Sequence, residues 1–282
     1  MKTLIAIDSS AASDAVISGV AARPWPAHSS FEVLSVAESS DEDALLKMTA
    51  VAENGVTRLC ASNLDASAFA VRGNPKTAIV ERAKEIAANL IVIGSSHGSG
   101  LQHLLLGDVP TAVIRHAHCS VEVVRPIGDI SRGMKILLAT DGSDDSQAAA
   151  RAIASRPRPA GSEVRVLTAV ELSLTMLEST LEPPYVNNEM LEMQRAQAMK
   201  RAEAAIAGAE EILQAAGMKT SQSISVLVEG PGKIILDEAK AWGADLIVVG
   251  SHGHRGLDRL LLGSVSEAVA TQAECSVEVV RS

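Results

Sequence analysis

The stretch LIVVGSHGHRGLDRLLLGSVS, Leu246 to Ser266, decides how the rest of the chain is read. Leu246 to Val249 is a short aliphatic run ending at Gly250. Glycines return at Gly253, Gly256 and Gly263, and Ser264-Val265-Ser266-Glu267 then opens an Ala/Val-rich segment. That order predicts a buried strand, a glycine-rich loop and a helix N-terminus. Glycines let backbone N–H groups approach a ligand closely, and the first helical turn adds unpaired donors and the positive end of a dipole. Such a loop suits an anion, phosphate above all. It also suits a plain tight turn in a doubly wound sheet.

Working outward, the stretch has a counterpart. Leu90 to Arg125 matches Leu246 to Arg281 without a gap, down to identical CSVEVVR endings at Cys119 to Arg125 and Cys275 to Arg281. Near the start of each half, Thr3 to Ile7 closes on Asp8-Ser9-Ser10 and Ile136 to Ala139 closes on Thr140-Asp141-Gly142-Ser143. At that same spacing FEVLSVAE (Phe31 to Glu38) falls on VRVLTAVE (Val164 to Glu171). The chain is an internal duplication. Each half reads β-α-β-α-β-α-β-α-β. In the first, strands are expected near residues 2–7, 31–37, 67–72, 89–93 and 120–125, with helices near 11–22, 42–62, 76–88 and 107–117. The α/β alternation predicts two tandem doubly wound domains, each a five-stranded parallel sheet with helices on both faces. The expected boundaries are 1–125 and 134–282, joined by the Pro- and Gly-containing linker 126–133. The end strands CSVEVVR offer an alternating apolar edge through which the two sheets can join.

Composition narrows the function. Hydrophobic residues make up 47% of the 282 residues and aromatics only 2%, so Ala, Val, Ile and Leu must build the core. A formal net charge of −9 with no lysine-rich run argues against nucleic-acid binding. No apolar run approaches the roughly 20 residues needed to span a bilayer, and MKTLIAIDSS reads as a first strand, not a signal peptide. The three cysteines, Cys60, Cys119 and Cys275, are widely spaced, which fits a reducing, cytoplasmic setting.

Gly250, two residues, Gly253, nine residues and Gly263-Ser264, with an apolar strand ending in Asp141 upstream, closely resembles the ATP-binding pattern of the universal stress protein family. The resemblance covers nearly all of both halves. It implies a tandem, cytoplasmic, ATP-binding member with a Rossmann-like fold, acting as a nucleotide-responsive regulator in the stress response. It also implies domains packed as an internal pseudo-dimer and is compatible with a homodimer of the whole chain. Carried over position by position, it implies a nucleotide site that uses Ala139, Thr140 and Asp141 at the end of the first strand, with Asp141 close to the ribose. Ala169 would offer its backbone to adenine, and Val249, Gly250, Gly253, Gly263, Ser264 and Val265 would wrap phosphates and ribose, with Mg²⁺ as the phosphates' counter-ion.

Other readings stay open at this point. Ser264-x-x-Glu267 is also a capping box, and Asp141 is placed to cap the following helix. The first half departs from the pattern: His97 stands where Gly253 does, and Asp108 where Ser264 does. A carboxylate there is expected to take the helix-start amides and repel phosphate; two like charges 4 Å apart cost roughly 4 kcal/mol at an effective dielectric of 20. A shift of one residue, using Gly98, would weaken that argument. The first half is therefore expected to bind ATP poorly. His97, His103, His116, His118 and Cys119 are zinc-ligand types, but surface or capping roles are favoured and no metal site is assigned. Arg255 and Arg259 can screen phosphate or simply face water. The second half carries an insertion, Leu172 to Asn188, that reads as a variable loop or as a lid, followed by a helical pattern with Met190, Met193 and Met199 expected in packing. No catalytic residue is assigned, because there is no Walker lysine and no Ser-His-Asp arrangement. A nucleotide-free interaction scaffold and a slow Mg²⁺-dependent ATPase are the rivals.

Overall fold

The computed structural model describes residues 1–95, 106–126, 128, 132–171, 188–227, 230–254 and 262–282. In the first half these form β1 (Lys2–Ala6), α1 (Ala11–Ala21), β2 (Ser30–Ala37), α2 (Glu42–Ala61), β3 (Asp65–Arg72), α3 (Pro75–Glu85), β4 (Leu90–Gly94), α4 (Asp108–His116) and β5 (Ser120–Val124). The second half repeats them as β6 (Lys135–Ala139), α5 (Asp144–Ala154), β7 (Glu163–Glu171), α6 (Asn188–Ala215), β8 (Lys219–Leu227), α7 (Pro231–Trp242), β9 (Leu246–Gly250), α8 (Ser264–Gln272) and β10 (Ser276–Val280). His97, His103, Gly98, Arg255, Arg259 and all of the insertion Leu172 to Asn188 except its last residue lie outside the described residues.

All ten strands belong to one sheet in the order β3-β2-β1-β4-β5-β10-β9-β6-β7-β8, which is the same five-strand order read outward from the middle in both directions. Pairing is parallel within each half and antiparallel only at the centre, where Val277 faces Val123, Glu278 faces Glu122 and Val279 faces Val121. The duplicated CSVEVVR strands therefore join edge to edge, so that each half covers the other's exposed edge.

Because side chains alternate along a strand, this central pair has two different faces. Val121, Val123, Val277 and Val279 enter one continuous apolar core under α3, α4, α7 and α8, which runs through both halves. On the other face the core is split in two, one part under α1 and α2 and one under α5 and α6. Between these parts lie the buried, directly opposed carboxylates of Glu122 and Glu278. Opposed like charges destabilise a sheet, and here each is matched by a guanidinium: Arg23 to Glu122 at 2.8 Å and Arg156 to Glu278 at 2.7 Å. Burial lowers the pKa of a third guanidinium, Arg158, to about 10; Glu278 and Glu122 act against that lowering while Arg156 and Arg23 add to it.

The closing arginines of the repeat lock the halves reciprocally. Arg125 donates to the carbonyls of Ala270 (2.8 Å) and Cys275 (3.1 Å), and Arg281 donates to those of Ile114 (2.8 Å) and Arg115 (3.1 Å). Each cation thus sits at the carboxyl end of the other half's last helix, where the backbone dipole is negative.

The long helix α6 packs through Ala202, Ala205, Ile206, Ala209 and Leu213. Of the methionines expected in packing, Met193 is 73% exposed and Met199 is half-buried. Among the described residues no helix is long and apolar enough to cross a membrane.

Candidate functional site

The second half brings its ten candidate residues to one rim of the sheet, at the carboxyl ends of β6, β7 and β9. Ala139 and Val249 are register neighbours on β6 and β9, so Thr140-Asp141 and Gly250-Ser251 leave the sheet side by side. Ala169 lies on β7, two residues beyond Leu167, the partner of Ala139. The Thr140 N–H donates to Leu167 O at 2.9 Å, and Thr168 Oγ1 donates back to Thr140 O at 2.9 Å, which pins the end of β6 to β7.

Asp141 ties the two loops together. Its Oδ1 accepts from the Ser143 N–H at 3.0 Å and its Oδ2 from the His254 N–H at 3.1 Å. Partial burial works to raise its pKa, but the hydrogen bonds from Ser143 and His254 prevail and hold the carboxyl below its ordinary value. Asp141 does not cap α5: the N-cap is Ser143, whose hydroxyl accepts from the Ser146 N–H. Gly142, with φ +83°, supplies the left-handed turn, and a Cβ there would come within 3.2 Å of Ala205 on α6.

The glycines have steric causes. A Cβ at Gly253 would stand 2.4 Å from Asp141 Oδ2, and one at Gly250 would stand 2.7 Å and 2.8 Å from backbone atoms of Asp145 and Ser146. Gly263 closes the loop: its N–H donates to Ser251 O at 2.9 Å, and a Cβ would lie 3.0 Å from that oxygen.

At the start of α8 the capping-box expectation fails. Gly263 is the N-cap, so Ser264 and Glu267 are the first and fourth helical residues, and a capping box needs the N-cap and the third. Ser264 is exposed and Val265 packs on the core. The hydroxyl that holds the loop is that of Ser266, which donates to Ser251 O at 2.9 Å and Gly263 O at 2.8 Å. Glu267 pairs with Arg115 of the first half. Gly263, as N-cap, offers no side chain to the amides of the first turn, the donors that suit an anion at a helix N-terminus.

A second carboxylate escaped the sequence reading. Asp145 Oδ2 accepts from Ser251 Oγ (2.8 Å) and the His252 N–H (3.0 Å) and lies 3.1 Å from His252 Nδ1, while its Oδ1 accepts from Ser282 Oγ (2.7 Å). Partial burial acts to raise its pKa, and the bonds from Ser282, Ser251 and His252 outweigh that and lower it. It fixes the β9 loop onto α5.

In the first half Asp108 is the first residue of α4, behind an N-cap at Gly107, and its side chain is 93% exposed. It points into solvent, 3.6 Å from Lys76 Nζ. The expectation that it takes the helix-start amides is therefore corrected, and water and Lys76 reduce the repulsion argued for it. As for metal, burial pushes the Cys119 thiol up to about 11, with Arg281 opposing. Among the described residues no three His, Cys, Asp or Glu side chains gather to hold an ion.

Comparisons with known proteins agree with this architecture. A family model described as "Universal stress protein family" matches residues 1–125 and again 134–281. The universal stress protein YxiE of Bacillus subtilis is 32% identical over 148 residues, covering 52% of this chain and 98% of that protein. A universal stress protein of Mycobacterium tuberculosis is 29% identical over 214 residues, 75% of this chain and 67% of that one. A homolog of universal stress protein A in Coxiella burnetii is 48% identical over 68 residues, and there the chain spans under half, 46%, of its relative's length. Among solved structures, a universal stress protein from Archaeoglobus fulgidus superposes with a TM-score of 0.63 at 19% identity, over 99% of this chain and 96% of that one, a likeness of fold. The chain belongs to the universal stress protein family.

Proposed function

We propose that this protein binds ATP in its second half and acts as a nucleotide-responsive regulator of the cytoplasmic stress response. The interlock of Asp141 with Gly253, together with a helix α8 whose N-cap is a glycine, carries this reading. It sets a carboxylate suited to ribose hydroxyls next to amides suited to phosphate, at the carboxyl rim where ligands of such sheets bind. Ala169 presents backbone to an adenine ring, and Ala139, Thr140, Val249, Gly250, Gly263, Ser264 and Val265 complete the cradle. Mg²⁺ enters as the counter-ion of the phosphates. The first half, where His97 stands at the position of Gly253, is the poor binder.

Calorimetric titration of ATP with Mg²⁺ into nucleotide-stripped protein tests this. One site per chain, lost in Gly253→Glu, is the expected result. No heat and no thermal stabilisation would leave a nucleotide-free interaction scaffold, and two equal sites would overturn the assignment to one half. Product formed in the same mixture would mark a slow ATPase.

A further inference from the structure

The antiparallel joint places the turn between α4 and β5 of the first half against the carboxyl rim of the second. There a cavity of about 830 Å³ is lined by both halves: Arg115, His116 and His118 from the first, and Ser143, Gly253 and His254 among those from the second. Gly253 is common to this cavity and to the candidate nucleotide site, so the two spaces adjoin. Arg281, also in the wall, holds the turn in place by donating to Ile114 O and Arg115 O. Arg115, His116 and His118 are all exposed.

The repeat supplies an internal comparison. Under the gapless alignment the second half's own turn carries Thr271, Gln272 and Glu274 where the first carries Arg115, His116 and His118. An identical scaffold with opposite chemistry points to what the turn faces. Asp144 and Asp145 also line the cavity, but Asp145 is engaged by Ser251, His252 and Ser282.

On the reading that the second half binds ATP, we infer that Arg115, His116 and His118 form a wall, supplied by the first half, that receives the distal phosphates and makes the site prefer a triphosphate over a monophosphate. The half that binds poorly is then a selectivity element of the half that binds. Guanidinium groups suit phosphate oxygens, and Arg115 would exchange its exposed ion pair with Glu267 for one with phosphate. Partial burial, with Lys84 and Arg281 nearby, holds His118 below the ordinary imidazole value. An imidazole N–H at this position can donate to a bound phosphate, whereas a carboxylate in its place adds a full negative charge.

The test is calorimetric titration of ATP and, separately, AMP into the full-length protein and two variants. His116→Gln/His118→Glu installs the residue types of the other turn. It should weaken ATP by about tenfold while AMP changes less than about twofold. His118→Lys should act in the opposite sense, tightening ATP alone, and being equally exposed it controls for misfolding. ATP and AMP shifting together, or neither shifting, overturns the inference and leaves the ATP reading standing. A wild-type protein that binds neither nucleotide overturns both.

Discussion

Both halves anchor the loop after their fourth strand with the same bond, Gly107 N–H to Ser95 O at 2.8 Å and Gly263 N–H to Ser251 O at 2.9 Å. Both also tie the end of the first strand to the second, through Ser35 Oγ to Ile7 O at 3.0 Å and Thr168 Oγ1 to Thr140 O at 2.9 Å. At the acid that follows the first strand, Asp8 Oδ1 gathers the Ser10 N–H, the Ser10 hydroxyl and the Ser13 hydroxyl, and Asp141 bonds the Ser143 N–H and, on the loop after β9, the His254 N–H. The halves part at the strand-ending glycine. A Cβ at Gly94 would meet the Ala12 side chain at 3.2 Å, while one at Gly250 would meet backbone of Asp145 at 2.7 Å. Duplication preserved the framework in both copies, and the closer packing of the strand-ending glycine on backbone belongs to the second.

That comparison can be attacked in order of size. Glu278→Ala removes the carboxylate facing Arg156 and should cost about 3–5 kcal/mol in urea unfolding. Glu122→Ala should cost about the same through Arg23, and a large inequality would show that the central charge cluster is not symmetric. Gly253→Ala drives a methyl into Asp141 and should weaken ATP roughly a hundredfold, about 2.7 kcal/mol, by calorimetry; unchanged affinity would detach Asp141 from the site. Gly250→Ala should lose about 1–3 kcal/mol of stability, because a backbone neighbour cannot yield, and Gly94→Ala under about 1 kcal/mol. Equal losses would erase the contrast between the loops.

Acid should also act on the second half. The lowered carboxyls of Asp141 and Asp145 contribute stability that is fully present above the ordinary carboxylate value near 3.9 and is lost as pH falls through their depressed folded-state values. Asp141→Asn and Asp145→Asn should each flatten the acid limb of a stability–pH profile measured by urea unfolding. The smallest effect is expected of Asp108→Ser, within about 0.5 kcal/mol, with ATP stoichiometry remaining one per chain.

How far the sequence alone reached follows from what each feature depends on. The repeat and the alternation of CSVEVVR are local patterns, so both five-strand halves and their joint could be read from them. Gly250, Gly253 and Asp141 stood out because glycine spacing is visible in one dimension. Asp145 did not, since Ser251 and His252, which define its role, are 106 and 107 residues away. Ser264-x-x-Glu267 misled because a one-residue shift in the helix start converts a capping box into an exposed first-turn residue and an ion pair with Arg115. The crossed contacts of Arg125 and Arg281 depend on which strand edges meet, and no spacing within one half encodes that.

The central joint has a consequence for how the chain is made. The bonding partners of Arg125 at Ala270, Cys275 and Ser276 lie 145 to 151 residues downstream. At about 5–20 residues per second the ribosome needs roughly 8–30 s to deliver them. During that interval β5 is an open edge on an otherwise finished half, the kind of edge that recruits stray strands. Glu122 sits in the middle of it, already held by Arg23 of the same half. A foreign strand docking there would have to bury a residue opposite that carboxylate, and β10 arrives with its own neutralised partner, Glu278 with Arg156. The buried acid at the seam thus serves during synthesis as a guard on the nascent edge, admitting the strand that brings its own arginine.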